Sequence, residues 1–150
     1  MPTDIVDPAE PQALIDAWLE RQLAENPIVV ALDRDPQIRR WYLRMRGEDR
    51  DFIAIWITLG QRTLRYEVYF MPAPEEREGE LYEYLLRCNQ RLFAMRFAIG
   101  AENAIYLVGQ LPITSIDEAE LDRVVGSAYE AVERYFRPAM RIGFGAKFKG

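Results

Sequence analysis

The sequence predicts an α+β domain in which helices cover an antiparallel sheet, in the order helix, three strands, helix, two strands, helix. Apolar residues recur at three/four spacing in three separate stretches, which gives the helices. Apolar and polar residues alternate with period two from Arg40 to Arg46 and from Thr63 to Phe70, on either side of a run from Phe52 to Leu59 that is apolar on both faces, which gives a meander of strands. Turn signals fall between these runs. The segment from Glu80 to Pro112, a helix leading into a hairpin, is the piece around which the rest is arranged.

Residues 1–7 read as a tail. Asp7-Pro8-Ala9-Glu10 then has an N-cap, a first-turn proline and an acid three positions after the cap, and Leu14, Trp18 with Leu19, and Leu23 follow at helical spacing. The spacing predicts a helix from Pro8 to Glu25, stopping before Asn26-Pro27. Ile28 to Leu32 is apolar, and is either a short strand or a packed connection; Asp33-Arg34-Asp35-Pro36 reads as a turn-like break. Trp41, Leu43 and Met45 alternate with Arg40, Tyr42, Arg44 and Arg46, a half-buried strand with one basic-aromatic face. After the Gly47-Glu48-Asp49-Arg50 loop, Phe52 to Leu59 is apolar on both faces and predicts a central strand. Gly60-Gln61 turns the chain into a third strand, Leu64 to Phe70, ended by Met71-Pro72-Ala73-Pro74.

The next helix carries two stripes, Leu81, Leu85, Cys88 and Leu92 beside Tyr82, Leu86, Asn89 and Phe93, a broader apolar face than one sheet needs. Phe97 and Ile99 open the hairpin, Ala101-Glu102-Asn103 turns it, and Ile105 to Leu111 closes it before Pro112. Ser115-Ile116-Asp117-Glu118 reads as a capping box ahead of a last helix whose stripe is Leu121, Val124, Val125, Ala128, Val132, Tyr135 and Phe136. Pro138 is expected to stop it, leaving residues 138–150 as a glycine-broken basic tail.

With 150 residues, 49% of them hydrophobic and 29% charged, the chain has the length and balance of a single globular domain over 1–150. No apolar run approaches the ~20 residues of a membrane span, and the start is acidic, so a cytoplasmic location without membrane contact is expected. One cysteine excludes an intrachain disulfide. The net charge is −5; Arg137, Arg141, Lys147 and Lys149 contribute +4, so the remainder carries −9, which argues against a phosphate-backbone partner while leaving the tail able to touch an acidic surface.

The order of elements, the length and the segment Leu86-Arg87-Cys88-Asn89-Gln90-Arg91-Leu92-Phe93, running into Phe97 and on through Ala104 to Pro112, resemble the YbjN family, labelled a bacterial sensory-transduction regulator. That family is similar in fold to the chaperones of type III secretion. The likeness covers about Pro8 to Pro138 by element order, with its signature in the Leu-x-x-x-Asn helix and the hairpin ending in Leu-Pro. It brings no catalytic residue, and it implies a type III secretion chaperone-like fold that binds protein.

The residues point the same way. There is no histidine, hence no Ser-His-Asp or Cys-His arrangement and no imidazole ligand. Ser115 and Ser127 sit at a cap and inside a helix, and both lysines lie in the tail. Cys88 is either a thiol activated by Arg87 or Arg91 or a buried structural cysteine. Asn89 caps a strand end, pairs with its own copy across a dimer axis, or sits at the edge of the helix face. Asp33 and Asp35 have the spacing of a hard-cation loop but lack the rest of it. Glu75, Glu76, Glu78, Glu80 and Glu83 are read as acids favouring a helix dipole. Arg40, Tyr42, Arg44 and Arg46 form a basic-aromatic strand face, read as packed beneath helices or in protein contact rather than as a nucleic-acid platform.

The expectation is therefore a non-enzymatic, cytoplasmic, homodimeric protein-binding domain with no cofactor or metal. Leu81, Tyr82, Leu85, Cys88, Asn89 and Leu92 are its candidate interface. The competing expectation is a small-molecule regulator with a cavity between sheet and helices lined by Trp41, Trp56 and Tyr106.

Overall fold

The structure is a computed structural model and describes residue 7 and residues 9–148. Residues 1–6 and 149–150 of the expected tails, and Pro8, the expected first residue of the first helix, lie outside the described residues. Helix α1 spans Ala9–Glu25, and strands β1 (Val29–Asp35), β2 (Arg40–Arg46), β3 (Phe52–Leu59) and β4 (Thr63–Met71) follow. Helix α2 (Glu78–Asn89), strands β5 (Arg96–Ile99) and β6 (Ile105–Pro112), and helix α3 (Glu118–Phe144) complete the chain. The strands form one antiparallel sheet in the order β1-β2-β3-β4-β6-β5.

Five expectations are corrected. First, the apolar run after Pro27 is a strand, β1, and it continues through Asp33, Arg34 and Asp35 to a turn whose last residue, Arg39, has a φ of 48°. Asp33 and Asp35 therefore pair with Tyr42 and Arg40 across the ladder and are not a loop. Second, α1 buries Ile15, Trp18 and Leu19, leaving Leu14 half-buried and Leu23 exposed, a face rotated from the expected one.

Third, only one of the two stripes on α2 is buried. Leu81, Leu85 and Cys88 enter the core, whereas the helix ends at Asn89 and its second stripe faces outward. Fourth, the cap of α3 is Asp117, whose carboxylate accepts a hydrogen bond from the Glu120 amide at 2.8 Å; Ser115 belongs to a single helical turn before it.

Fifth, α3 runs through Pro138 to Phe144. An interior proline costs about 3 kcal/mol by removing an amide donor and crowding the preceding turn. The chain beyond it recovers that loss, because Ala139 and Gly143 are buried and the helix end is capped from outside. The amides of Glu75 and Glu76 donate to the Gly143 carbonyl at 3.0 and 3.1 Å. Arg77, at a φ of 50° ahead of α2, donates from its guanidinium to the carbonyls of Arg141 and Ile142. Lys147 pairs with Glu75 and Arg137 with Asp49, so the described part of the basic tail lies folded against the body.

All three helices pack on the same face of the sheet. Alternate strand residues (Trp41, Leu43, Met45; Ile53, Ile55, Ile57; Leu64, Tyr66, Val68, Phe70; Leu107) meet Leu19, Leu85, Val124 and Val132 in one core. Tyr66 lies across Gly109, where an added Cβ would stand 2.4 Å from its ring and 2.3 Å from the Ala94 carbonyl oxygen. The Tyr66 hydroxyl donates to that same carbonyl, so glycine is required for the ring to reach its partner.

Candidate binding surface

The residues between the buried ones project from the opposite face of the sheet, and no described helix covers it. Register fixes their arrangement. One row across the strands reads Asp35, Arg40, Thr58, Arg65, Gln110. The next reads Asp33, Tyr42, Trp56, Glu67, Val108, Arg96, and a third brings Arg44 beside Ala54, and Tyr69 beside Tyr106 and Ala98. Trp56 and Tyr69 remain 42% and 45% exposed.

Aromatic rings and guanidinium groups are interleaved within this surface. Tyr42 meets Trp56 edge-on at 5.2 Å, and Tyr69 meets Tyr106 in the same way at 5.5 Å. The Arg40 guanidinium lies 5.4 Å from the Trp56 ring and bonds to the Thr58 hydroxyl, while that of Arg44 lies 4.0 Å from the Phe52 ring. Two concavities result. A trough of about 300 Å³ is lined by Arg40, Arg65 and Arg96 with Trp56, Glu67 and Gln110. A mainly apolar dish of about 510 Å³ is lined by Trp56, Tyr69, Ile99, Tyr106 and Val108, with Glu67, which also lines the trough.

The second surface is a groove of about 320 Å³ between α2 and the edge strand β5, lined by Tyr82, Leu85, Leu86, Asn89, Phe97 and Ile99 among others. Its rims are exposed apolar side chains, Leu86 at 67% and Ile99 at 53%. Ala98 and Ile99 line both the groove and the apolar dish, so apolar surface runs round the sheet edge from helix to open face. Asn89 sits where these meet. Its side-chain oxygen accepts from the Phe97 amide at 2.7 Å and its amide nitrogen faces the Phe97 carbonyl at 3.4 Å, so it occupies backbone groups that a further strand would use. Of the three roles open to Asn89, capping a strand is the one observed.

The interface candidates thus separate. Leu81, Leu85 and Cys88 are spent on the core, with Leu85 forming the groove floor; Leu92 is half-buried beyond the helix; Tyr82 and Asn89 line the groove. The cavity candidates separate more sharply. Trp41 is buried under the helices, its indole N–H donating to Asp16 at 2.7 Å, while Trp56 and Tyr106 lie on the other side of the sheet. Adjacent registers on alternating faces forbid the three from lining one cavity. The basic-aromatic face of β2 is likewise open rather than packed beneath helix-borne acids.

Burial pushes the Cys88 thiol above its ordinary value, against the opposing pull of the Tyr84 hydroxyl and Arg91. Burial, with Cys88 and Tyr135 adding to it, raises the Tyr84 phenol further. A thiol held protonated in the core has the properties of a packing residue. No group of three potential metal ligands occurs among the described residues, and no described helix is long and apolar enough to cross a membrane.

Residues 15–139 match the family described as "Putative bacterial sensory transduction regulator". The chain belongs to the YbjN family. Within the reach of that assignment, an uncharacterised protein of Mycobacterium tuberculosis is 31% identical over 102 residues, 68% of this chain and 56% of its own length. Another from Mycobacterium leprae is 32% identical over 105 residues, 70% of this chain and 57% of its own. The chain therefore spans little more than half the length of the curated relatives it matches. Among solved structures, the fold is similar to a chain of the heterodimeric ExoU–SpcU complex from the type III secretion system of Pseudomonas aeruginosa, with a TM-score of 0.55 at 16% identity, covering 83% of this chain and 96% of that one. It is also similar to a chain of the Yersinia pestis type III secretion chaperone SycH in complex with a stable fragment of YscM2, with a TM-score of 0.50 at 16% identity, covering 77% and 94%. The fold is thus type III secretion chaperone-like, as the family resemblance implies.

Sequence reading did not single out Arg65, Glu67, Tyr69 and Arg96 as surface partners of Trp56. Their alternation with core residues was visible, but only the pairing of β4 with β6 and β5 brings them onto one surface.

Proposed function

We propose that this domain is a non-enzymatic, cytoplasmic adaptor whose business is binding other protein chains. One observation carries the reading: apolar and aromatic surface continues from Leu86 and Tyr82, round Ile99 on the sheet edge, to Tyr106, Tyr69 and Trp56 on the uncovered face. Exposed apolar area of this continuity is the mark of an interaction surface rather than of scattered surface hydrophobes. In this reading a second copy of the chain seats on the groove between α2 and β5 through Tyr82, Leu86 and Ile99, and a partner segment lies on the open face. The secretion-chaperone neighbours, solved as complexes with protein partners, support the class of function and not the identity of a partner.

Light scattering over a dilution series tests the dimer. Leu86→Asp removes an exposed residue and is expected to give a monomer that unfolds at the temperature of the parent; an unchanged oligomeric state rejects the groove as the interface. A photo-crosslinking residue replacing Trp56 in intact source cells tests the partner, with the same residue replacing Arg21 on the helix side as control. A discrete protein adduct specific to position 56 supports the adaptor. A small molecule retained in native mass spectrometry without any adduct favours a ligand-sensing domain instead, and the dish of about 510 Å³ is of a size to hold one.

A further inference from the structure

The charges of this molecule are sorted by face. On the helix side, Arg21, Arg34, Arg77, Arg87, Arg123, Arg134 and Arg137 each pair with a carboxylate. On the open face, Arg40, Arg44, Arg46, Arg65 and Arg96 have no ion-pair partner among the described residues, and the carboxylates set among them are Glu67 and, on the edge strand β1, Asp33 and Asp35. Those five arginines and three carboxylates give that face a formal +2 on a chain of −5, so everything else sums to −7. Arg65 and Arg96 are exposed, and with Arg40 they converge on one trough beside Trp56.

We infer that the open face binds an extended acidic protein segment whose carboxylates meet Arg40, Arg65 and Arg96 and whose apolar side chains enter the dish beside Trp56 and Tyr106. Several arguments select this occupant. Arginine forks bind carboxylates bidentately, and guanidinium groups spaced along a row match carboxylates spaced along an extended chain. The aromatic dish next to the trough asks for apolar side chains in the same segment, so alternating acidic and apolar residues fit both. Six strands about 4.8 Å apart are crossed by about eight residues of extended chain. A second copy of this chain is disfavoured here, since a two-fold interface would set the five arginines against their own images. A single-stranded nucleic acid is disfavoured by the −7 on the rest of the molecule and because Arg40 and Arg44 already lie over the rings of Trp56 and Phe52, where bases would stack.

The inference rests on the adaptor reading and adds the chemistry of the partner. It is tested on the full chain by fluorescence anisotropy with three labelled probes: a peptide of about ten residues alternating glutamate with leucine and tyrosine, its twin with lysine for glutamate, and an oligothymidylate of similar length. The acidic peptide is expected to bind at least about tenfold more tightly than the lysine twin, more weakly as salt rises. Arg65→Glu and Arg96→Glu are expected each to weaken it about tenfold and to improve binding of the twin, with far-ultraviolet dichroism unchanged; Arg21→Glu on the helix side leaves it unchanged. Equal affinity for both peptides, binding of neither, or tighter binding of the oligothymidylate overturns the inference. The crosslinking experiment separates the two failures: a protein adduct at position 56 without charge preference in the peptides sinks only the acidic partner, whereas absence of any adduct sinks the adaptor.

Discussion

Ile55 and Trp56 are neighbours on β3, and they belong to different worlds. Ile55 is fully buried against the helices; Trp56 stands 42% exposed on the bare side of the same sheet. The covered side is apolar in alternate registers apart from Arg34 on the edge strand, and has a carboxylate for each helix-side arginine named above. The bare side interleaves aromatic rings and arginines, the closest partners of Arg40 and Arg44 being rings and one hydroxyl, with Glu67, Asp33 and Asp35 as its carboxylates. Stability is concentrated on one face, which leaves the composition of the other to be set by something other than folding.

Truncating across that divide gives the largest contrast. Ile55→Ala removes fully buried methyl groups and is expected to cost about 2–5 kcal/mol in urea denaturation, whereas Trp56→Ala is expected to change stability by less than about 1 kcal/mol. Equal losses would mean that the open face is part of the folding core. Arg50 probes where the two sides meet: its guanidinium donates at 2.8 Å to the carbonyls of both Tyr69 and Phe70 at the irregularity in β4 and lies 5.0 Å from the Phe136 ring. Arg50→Ala leaves those carbonyls without that donor and is expected to cost about 1.5–3 kcal/mol, a loss that Arg65→Ala on the open face does not reproduce.

The alkaline limb of stability sharpens the comparison further, because Tyr84 and Cys88, two of the groups that burial raises, belong to the covered side. A thiol whose folded value exceeds its unfolded one contributes fully below the unfolded value, near about 8.5, and loses that contribution as pH rises towards the folded value. The melting temperature should therefore fall as pH is raised from 8 to 10, and Cys88→Ala should make the fall shallower. An unchanged slope in that variant would place the titration elsewhere. The smallest effect is expected for Arg65→Gln, within about 0.5 kcal/mol of the parent in the same urea assay.

How much of this was legible in the sequence follows from range. Period-two alternation located β2 and β4, and an unbroken apolar run located β3, because both are written in consecutive residues, and the stripe Leu121, Val124, Val125, Ala128 located α3. What failed was whatever depends on contacts far along the chain. Pro138 looked like a stop, yet the caps that let α3 continue come from Glu75, Glu76 and Arg77. Asp33-Arg34-Asp35 looked like a break, yet Arg34 pairs with Asp16 and Glu20 of α1 and the strand continues. Trp41, Trp56 and Tyr106 were read as one site because aromatic identity is local information and sheet face across non-adjacent strands is not. Likewise the excess width of α2 was legible, while which stripe stays outside was decided by the packing of Leu81, Leu85 and Cys88.

The bracket that Asn89 places on Phe97 also bears on how this protein behaves when crowded. A sheet that ends in bare backbone can grow by accretion, each new chain supplying the template for the next, and the product is a fibre. Here the last strand has only four residues and one of its outward backbone pairs is already occupied by a side chain of the same molecule. Head-to-tail growth needs both margins of the sheet, so a bracket on the β5 margin alone obstructs it while the β1 margin stays at the other end; a sticky face is more tolerable on a small domain built in this way.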